Sequence, residues 1–175
     1  MMTINLARLA ASLTVAGLIM MVVPAPATAV PLDAHRWPSS TVYVEDRAGG
    51  RWPVKKAAEN LDNGSGLDLR VVRKCPASAP CVVVKTVRTI PGSRVGFEST
   101  RWSGSVKVSS TVTVDNGWGK RVSRKKRLKL LCHELGHAVG LRHSHSRGTC
   151  MRVGYEGRVV TKISKAERRA LDRIY

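Results

Sequence analysis

Apolar residues first recur with a period of two and only later with the period of a helix. Thr41-Val42-Tyr43-Val44-Glu45 alternates and is β-branched, which reads as a strand. Gly49-Gly50 turns the chain, and Pro53 to Leu61 reads as a short helix, with Pro53 tolerated in its first turn. Asn63-Gly64-Ser65-Gly66 stops that helix, and Leu67 to Val72 and Cys81 to Val87 are the next strands. Pro91 to Ser105 carries Gly, Ser and charge without a period and reads as loop. Val106-Lys107-Val108 and Thr111-Val112-Thr113-Val114 read as two further strand pieces, and Asp115 to Lys120 as a turn. Leu128, Leu131, Leu135 and Val139 then have the spacing of a buried helical stripe, with Ser123 as the N-cap. After a loop from Ser144 to Thr149, Ser164-Lys165-Ala166-Glu167 forms a capping box opening a helix to about Ile174. Ala166, Leu171 and Ile174 would be its packing side, with Ala170 in reach. Strands and one helix followed by helices predict an α+β fold. The chain has no internal repeat and no low-complexity tract.

Residues 1–29 follow another pattern. Arg8 supplies a thin positive region, Leu9 to Val23 is unbroken apolar and small sequence, and Ala27-Thr28-Ala29 offers a small-residue cleavage site. The apolar run, about fifteen residues, is short for a membrane span of roughly 20. A secretory signal over 1–29 and a single domain over 30–175 are expected, with an uncleaved N-terminal anchor as the alternative. No transmembrane span is expected in the mature chain. Its length suits one core rather than two.

Charge narrows the partners. The chain has 30 Lys and Arg against 12 Asp and Glu; removing 1–29 takes away only Arg8 and leaves a net +17. Such a chain is drawn to polyanions, among them cell-wall or surface polymers, anionic membranes and acidic proteins. No specific nucleic-acid partner is expected, since aromatics are few and no recognised binding motif is present. Lys120, Arg121, Arg124, Lys125, Lys126, Arg127 and Lys129 crowd the start of the long helix, where positive charge opposes the macrodipole by up to about 1 kcal/mol each. A polyanion-docking face or a merely solvated face would account for them. Four cysteines in an exported chain suggest two disulfides. Pro76 to Pro80 favours a turn between Cys75 and Cys81, so 75–81 with 132–150 is the economical pairing of three. Free buried thiols or zinc ligation at 132 and 150 are the alternatives.

The chemistry lies in His133-Glu134-Leu135-Gly136-His137-Ala138-Val139-Gly140-Leu141-Arg142-His143. Residues four apart on a helix project from one face, so His133 and His137 can bind one zinc ion through nitrogen. Glu134 lies about 100° round from His133, where its carboxylate can act as general base towards metal-bound water rather than as a ligand. Gly140 lets the chain leave the helix with φ > 0. The turn can then return His143 as the third ligand, leaving one position open, as in catalytic rather than structural zinc sites. His145 lies on the same side of an extended chain as His143 and is the competing candidate. Four of the five histidines fall between 133 and 145, which argues against scatter.

From His133 to Met151 the chain resembles the metzincin zinc peptidases, and within them the matrixins, especially short secreted bacterial members. The histidine string and the downstream Met151 carry the resemblance, supported by Thr111 to Val114 and by Ser164 to Tyr175. It implies a twisted mixed sheet, mostly parallel, with an active-site helix, a C-terminal helix and a horizontal cleft. It also implies Zn2+ on His133, His137 and His143, Glu134 as base and proton shuttle, and Met151 as a floor beneath the metal. The family's glycine-to-histidine offset favours His143 over His145. Three departures stand out. No cysteine-switch pro-segment is expected, nor a second zinc or bound calcium, and Met151 is followed by Arg152-Val153-Gly154-Tyr155 rather than by a tyrosine-proline pair.

The expected function is a secreted, extracellular or cell-wall-associated, monomeric zinc endopeptidase acting on a protein or peptide substrate. An extended substrate could pair with an edge strand near Thr111 to Val114. A hydrolase of cell-wall peptide bridges and a non-catalytic basic zinc module are the other classes, and the intact Glu134 speaks against the second.

Overall fold

A computed structural model describes residues 30–155 and 157–175. The expected signal segment, residues 1–29, lies outside the described residues. The elements in chain order are β1 (Thr41–Arg47), α1 (Val54–Asp62), β2 (Asp68–Val72), β3 (Cys81–Val87), β4 (Gly96–Ser103), β5 (Val106–Asp115), α2 (Asn116–Arg121), α3 (Arg124–Ala138) and α4 (Lys165–Asp172).

The five strands form one mixed sheet in the order β2-β1-β3-β5-β4. β1, β2, β3 and β5 run parallel, and β4 returns antiparallel along β5. Side chains alternate across a strand, so Val42 and Val44, Val82 and Val84, and Val112 and Val114 fall on one face, and all six are fully buried. Register carries that face across the sheet: Val44 pairs with Val82, and Val84 with Val112. α1 and α3 pack on one another and on the sheet. The expected stripe Leu128, Leu131, Leu135 and Val139 is buried throughout. The α+β class and the mixed sheet with an active-site and a C-terminal helix are as expected.

Four local expectations are corrected. Gly96 to Ser103 lies within the expected loop but is strand β4. As an outer strand with no fully buried residue, it shows no apolar alternation to read, and its pairing with β5 defines it. The two pieces after it are one strand: Ser110 is buried, and its hydroxyl donates to the Glu98 carboxylate. β5 therefore lies between β3 and β4, so the outer strand beside it is β4, not Thr111 to Val114. The turn at Asp115 to Lys120 is largely the short helix α2, capped by the Asp115 carboxylate, which accepts from Trp118 N at 2.7 Å. Its two glycines hide it from propensity, yet a side chain at Gly119 would collide with the Trp52 ring.

On α4 the capping box is present, but Ala166 is exposed. The inward face is Glu167, Ala170, Leu171 and the half-buried Ile174, one residue round from the expected one, because Glu167 turns inward to a hydroxyl. The basic cluster also divides. Arg127 donates to the carbonyls of Arg51, Gly119 and Val122, so it fastens the α2–α3 corner, and Lys129 is buried. Lys120, Arg121, Arg124 and Lys125 remain exposed. Among the described residues no helix is long and apolar enough to cross a membrane.

Both expected disulfides are present, Cys75–Cys81 and Cys132–Cys150, with Cα atoms 6.1 and 6.0 Å apart. The second ties α3 to the loop carrying Met151, and both its cysteines are fully buried. Replacing Cys132 and Cys150 together by alanine is expected to lower the unfolding free energy by about 3 kcal/mol, the chain-entropy value for a closed loop of 18 residues. Chemical denaturation of the two proteins checks this; equal midpoints would show that the bridge adds no stability.

Candidate active site

Ser123 caps α3 as expected, its hydroxyl accepting from Lys126 N at 3.4 Å. Fifteen residues on, the helix stops because Gly140 takes φ +103°, and Leu141 N then returns to Gly136 O at 2.8 Å. The carbonyls of this last turn meet donors from three distant segments. Trp37 Nε1 reaches Ala138 O at 2.9 Å and Tyr175 Oη reaches Val139 O at 3.0 Å. Lys107 Nζ donates to His137 O and Ala138 O, both at 3.1 Å.

The structure brings His133, His137 and His143 together, each offering a nitrogen within 4.8 Å of the others. His145, two residues on, is exposed and outside this group. His133 Nε2 and His137 Nε2 are 3.2 Å apart. Two nitrogens at about 2.0–2.1 Å from a tetrahedral zinc would lie about 3.3 Å apart, so the spacing fits the ion. Tautomers fit as well. His133 Nδ1 faces Cys150 O at 3.0 Å and His137 Nδ1 faces Leu141 O at 2.8 Å. A carbonyl only accepts, so each Nδ1 carries the proton and each Nε2 presents its lone pair. Burial pushes His133 down to about 4 and lowers His137 too, which keeps both imidazoles neutral at pH 7, the form that binds metal.

Met151 is fully buried against the helix at Gly136, where any Cβ would overlap its sulfur. Met151 N donates to Thr149 Oγ1 at 3.1 Å, and that hydroxyl donates to Glu167 Oε2 at 2.6 Å. The capping-box glutamate of α4 thus also anchors the loop that carries Met151.

Glu134 is almost wholly buried, beside a cleft of about 640 Å³. Residues 93–98 form one wall of the cleft, Arg152 to Tyr155 another, and the three histidines also line it. Burial first, and the nearby Glu98 charge second, push the Glu134 carboxyl up to about 8, opposed by the Glu98 backbone N–H that donates to it. Tyr155 stands in the cleft with its ring 5.4 Å from that of Trp118; burial raises its phenol well above the ordinary value, so it stays protonated at neutral pH.

Three contributors escape a sequence reading. Glu98 lies in an aperiodic stretch. Glu167 is recognisable as a capping residue but not as an anchor for Thr149. Lys107 sits between two valines, and alternation would turn the valines inward; instead Lys107 is buried while Val106 is 39% and Val108 49% exposed.

Comparison with curated proteins gives no match. The family model described as Matrixin matches residues 85–175, from the end of β3 to the C-terminal residue, and spans all three histidines, Glu134 and Met151. With slightly more than half the chain so matched, and a three-histidine group suited to zinc within the match, this chain belongs to the matrixin family of zinc metallopeptidases.

Proposed function

We propose that the mature chain is a secreted zinc-dependent endopeptidase in which His133, His137 and His143 hold the metal and Glu134 is the general base. The observation that carries this is the convergence of three imidazoles in a cleft where Glu134 also stands. Bound there, zinc would supply a Lewis acid that polarises the scissile carbonyl and acidifies water. Glu134, just off the ligand face of α3, takes the proton from the attacking water and passes it to the departing amine. Its burial suits this role, since a carboxylate short of solvent is a stronger base, and the positive charge of the metal offsets the cost of ionising it.

The substrate lies extended along β4, whose outer edge borders the cleft. Main-chain pairing there gives affinity with little sequence preference. Two disulfides fit an extracellular location. The exposed cations at the α2–α3 corner favour retention on an anionic cell-wall or surface polymer, and with it a second reading in which cell-wall peptide bridges are the substrate.

Glu134→Gln is expected to retain one zinc per chain and to lose peptidase activity by at least about a hundredfold. Metal content and turnover are read on one preparation, beside chelated wild type, on denatured protein and on purified cell wall. Zinc loss parallel to the activity loss would make Glu134 a ligand instead.

His143→Ala is expected to release zinc near neutral pH, whereas His145→Ala should bind it like wild type. Direct measurement of zinc affinity settles the choice, and the reverse pattern would move the third ligand two residues on.

Substituting Arg124, Lys125 and Lys126 together by glutamine should flatten the salt dependence of binding to an anionic polymer and leave cleavage of a short neutral peptide unchanged. An unaltered slope would return these residues to a solvated face.

A further inference from the structure

Lys107 is the most deeply buried cation among the described residues, with a side chain 0% exposed. An ammonium is held away from water only where partners replace its hydration. Its three partners are all at one place: His137 O and Ala138 O, each 3.1 Å away, and Asp33 Oδ2 at 3.5 Å. The two carbonyls belong to the last turn of α3, where intrahelical donors run out and the helix dipole is negative.

Asp33 belongs to an N-terminal strap that engages Gly140, Leu141 and Arg142, the three residues before His143. Asp33 N donates to Gly140 O at 2.7 Å, Leu32 bridges to Leu141, and Arg142 N donates to Pro31 O at 3.1 Å. Farther along, Arg36 pairs with β5 beside Lys107, since Lys107 N donates to Arg36 O at 2.8 Å. The Asp33 carboxylate is itself held by His35, through the backbone N at 3.2 Å and Nδ1 at 3.0 Å.

We propose that Asp33 and Lys107 form a clamp that positions the metal centre, with Lys107 fixing the turn of α3 that carries His137 and Asp33 joining it to the strap that sets the path to His143. The inference rests on the zinc reading above and names positioning residues, since neither side chain lines the cleft or belongs to the histidine group. An apolar residue at 107 could fill the same volume, and the flanking valines show that the strand does not lack apolar choices. Only a cation with a long stem can reach two helix carbonyls and a carboxylate from the strap at once.

The test compares wild type with Lys107→Met, Asp33→Asn, Asp33→Glu and the Asp33→Asn/Lys107→Met double variant. Zinc affinity is measured by competition with a chromophoric chelator, amide hydrogen exchange at residues 140–142 in metal-free protein, and global stability by denaturation. Each single neutralising variant should weaken zinc binding by about 10–100-fold, the range for partners that orient metal ligands. Exchange at 140–142 should rise more than in the sheet, Asp33→Glu should recover much of the affinity, and the double variant should be no worse than Lys107→Met alone. Should Lys107→Met fail to fold, Asp33→Asn carries the comparison, because its side chain is partly exposed. Unchanged zinc affinity, or losses that only follow global unfolding, would overturn the clamp. A wild-type chain that takes up no zinc would overturn the peptidase reading instead, and local exchange would then decide the clamp by itself.

Discussion

A helix leaves its last four carbonyls without intrahelical donors, and in α3 these belong to Leu135, Gly136, His137 and Ala138, the turn that presents the second imidazole of the histidine group. None is left bare. Val139 N serves Leu135 O, Leu141 N serves Gly136 O, Gly140 N and Lys107 share His137 O, and Trp37 with Lys107 covers Ala138 O. Buried peptide carbonyls demand such partners, and here the demand draws the N-terminal strap, β5 and the C-terminal tyrosine to one point. Gly140 makes this possible: with φ near +103° it folds the backbone over the helix end, and a residue with a Cβ would be strained there. The position of His143 follows from how α3 stops.

The histidine triad was legible because its spacing is local: helix geometry alone places 133 and 137 together. The disulfides were legible because loop length and prolines leave one economical pairing. What supports the triad was not, because it arrives through tertiary contact. Lys107 reads as the polar half of an alternating strand, and only burial by the strap reverses the sense of that alternation. β4 has no fully buried residue, so its strand character resides in pairing with β5 rather than in its own pattern. The spacing of apolar residues places Ala166 inward, but the hydrogen bond between Glu167 and Thr149 turns α4 by one residue, and a charged residue carries no weight in an apolar pattern.

Electrostatics at the cleft point the same way as geometry. Burial lowers His133 and His137 and raises Glu134, so desolvation moves every one of these groups towards its uncharged form. A cavity that disfavours isolated charge on both kinds of group is poised for a divalent cation, which the neutral imidazoles can ligate and whose field favours the carboxylate. For metal-free protein the depressed imidazoles have a definite sign. A histidine whose folded value lies below its unfolded value near 6.5 contributes stability above that pH and loses it as pH falls towards about 4, the folded value at His133. Acid therefore works against the fold and against metal binding through the same residues.

The imidazoles are oriented by carbonyls that are themselves anchored elsewhere. Cys150, whose carbonyl holds His133, is bound to α3 by its disulfide and to the segment before α4 by Cys150 N donating to Lys162 O at 2.9 Å. Leu141, whose carbonyl holds His137, is fixed by the helix-ending turn on one side and by the bridge to Leu32 on the other. Next to His143, Ser144 N donates to Met151 O at 3.1 Å, so the methionine loop also ties down the segment that carries the third imidazole. Each ring thus depends on a different long-range constraint: the disulfide, the strap and the methionine loop. Each of these constraints lies within the protein, so each reduces the ordering entropy that metal binding must supply.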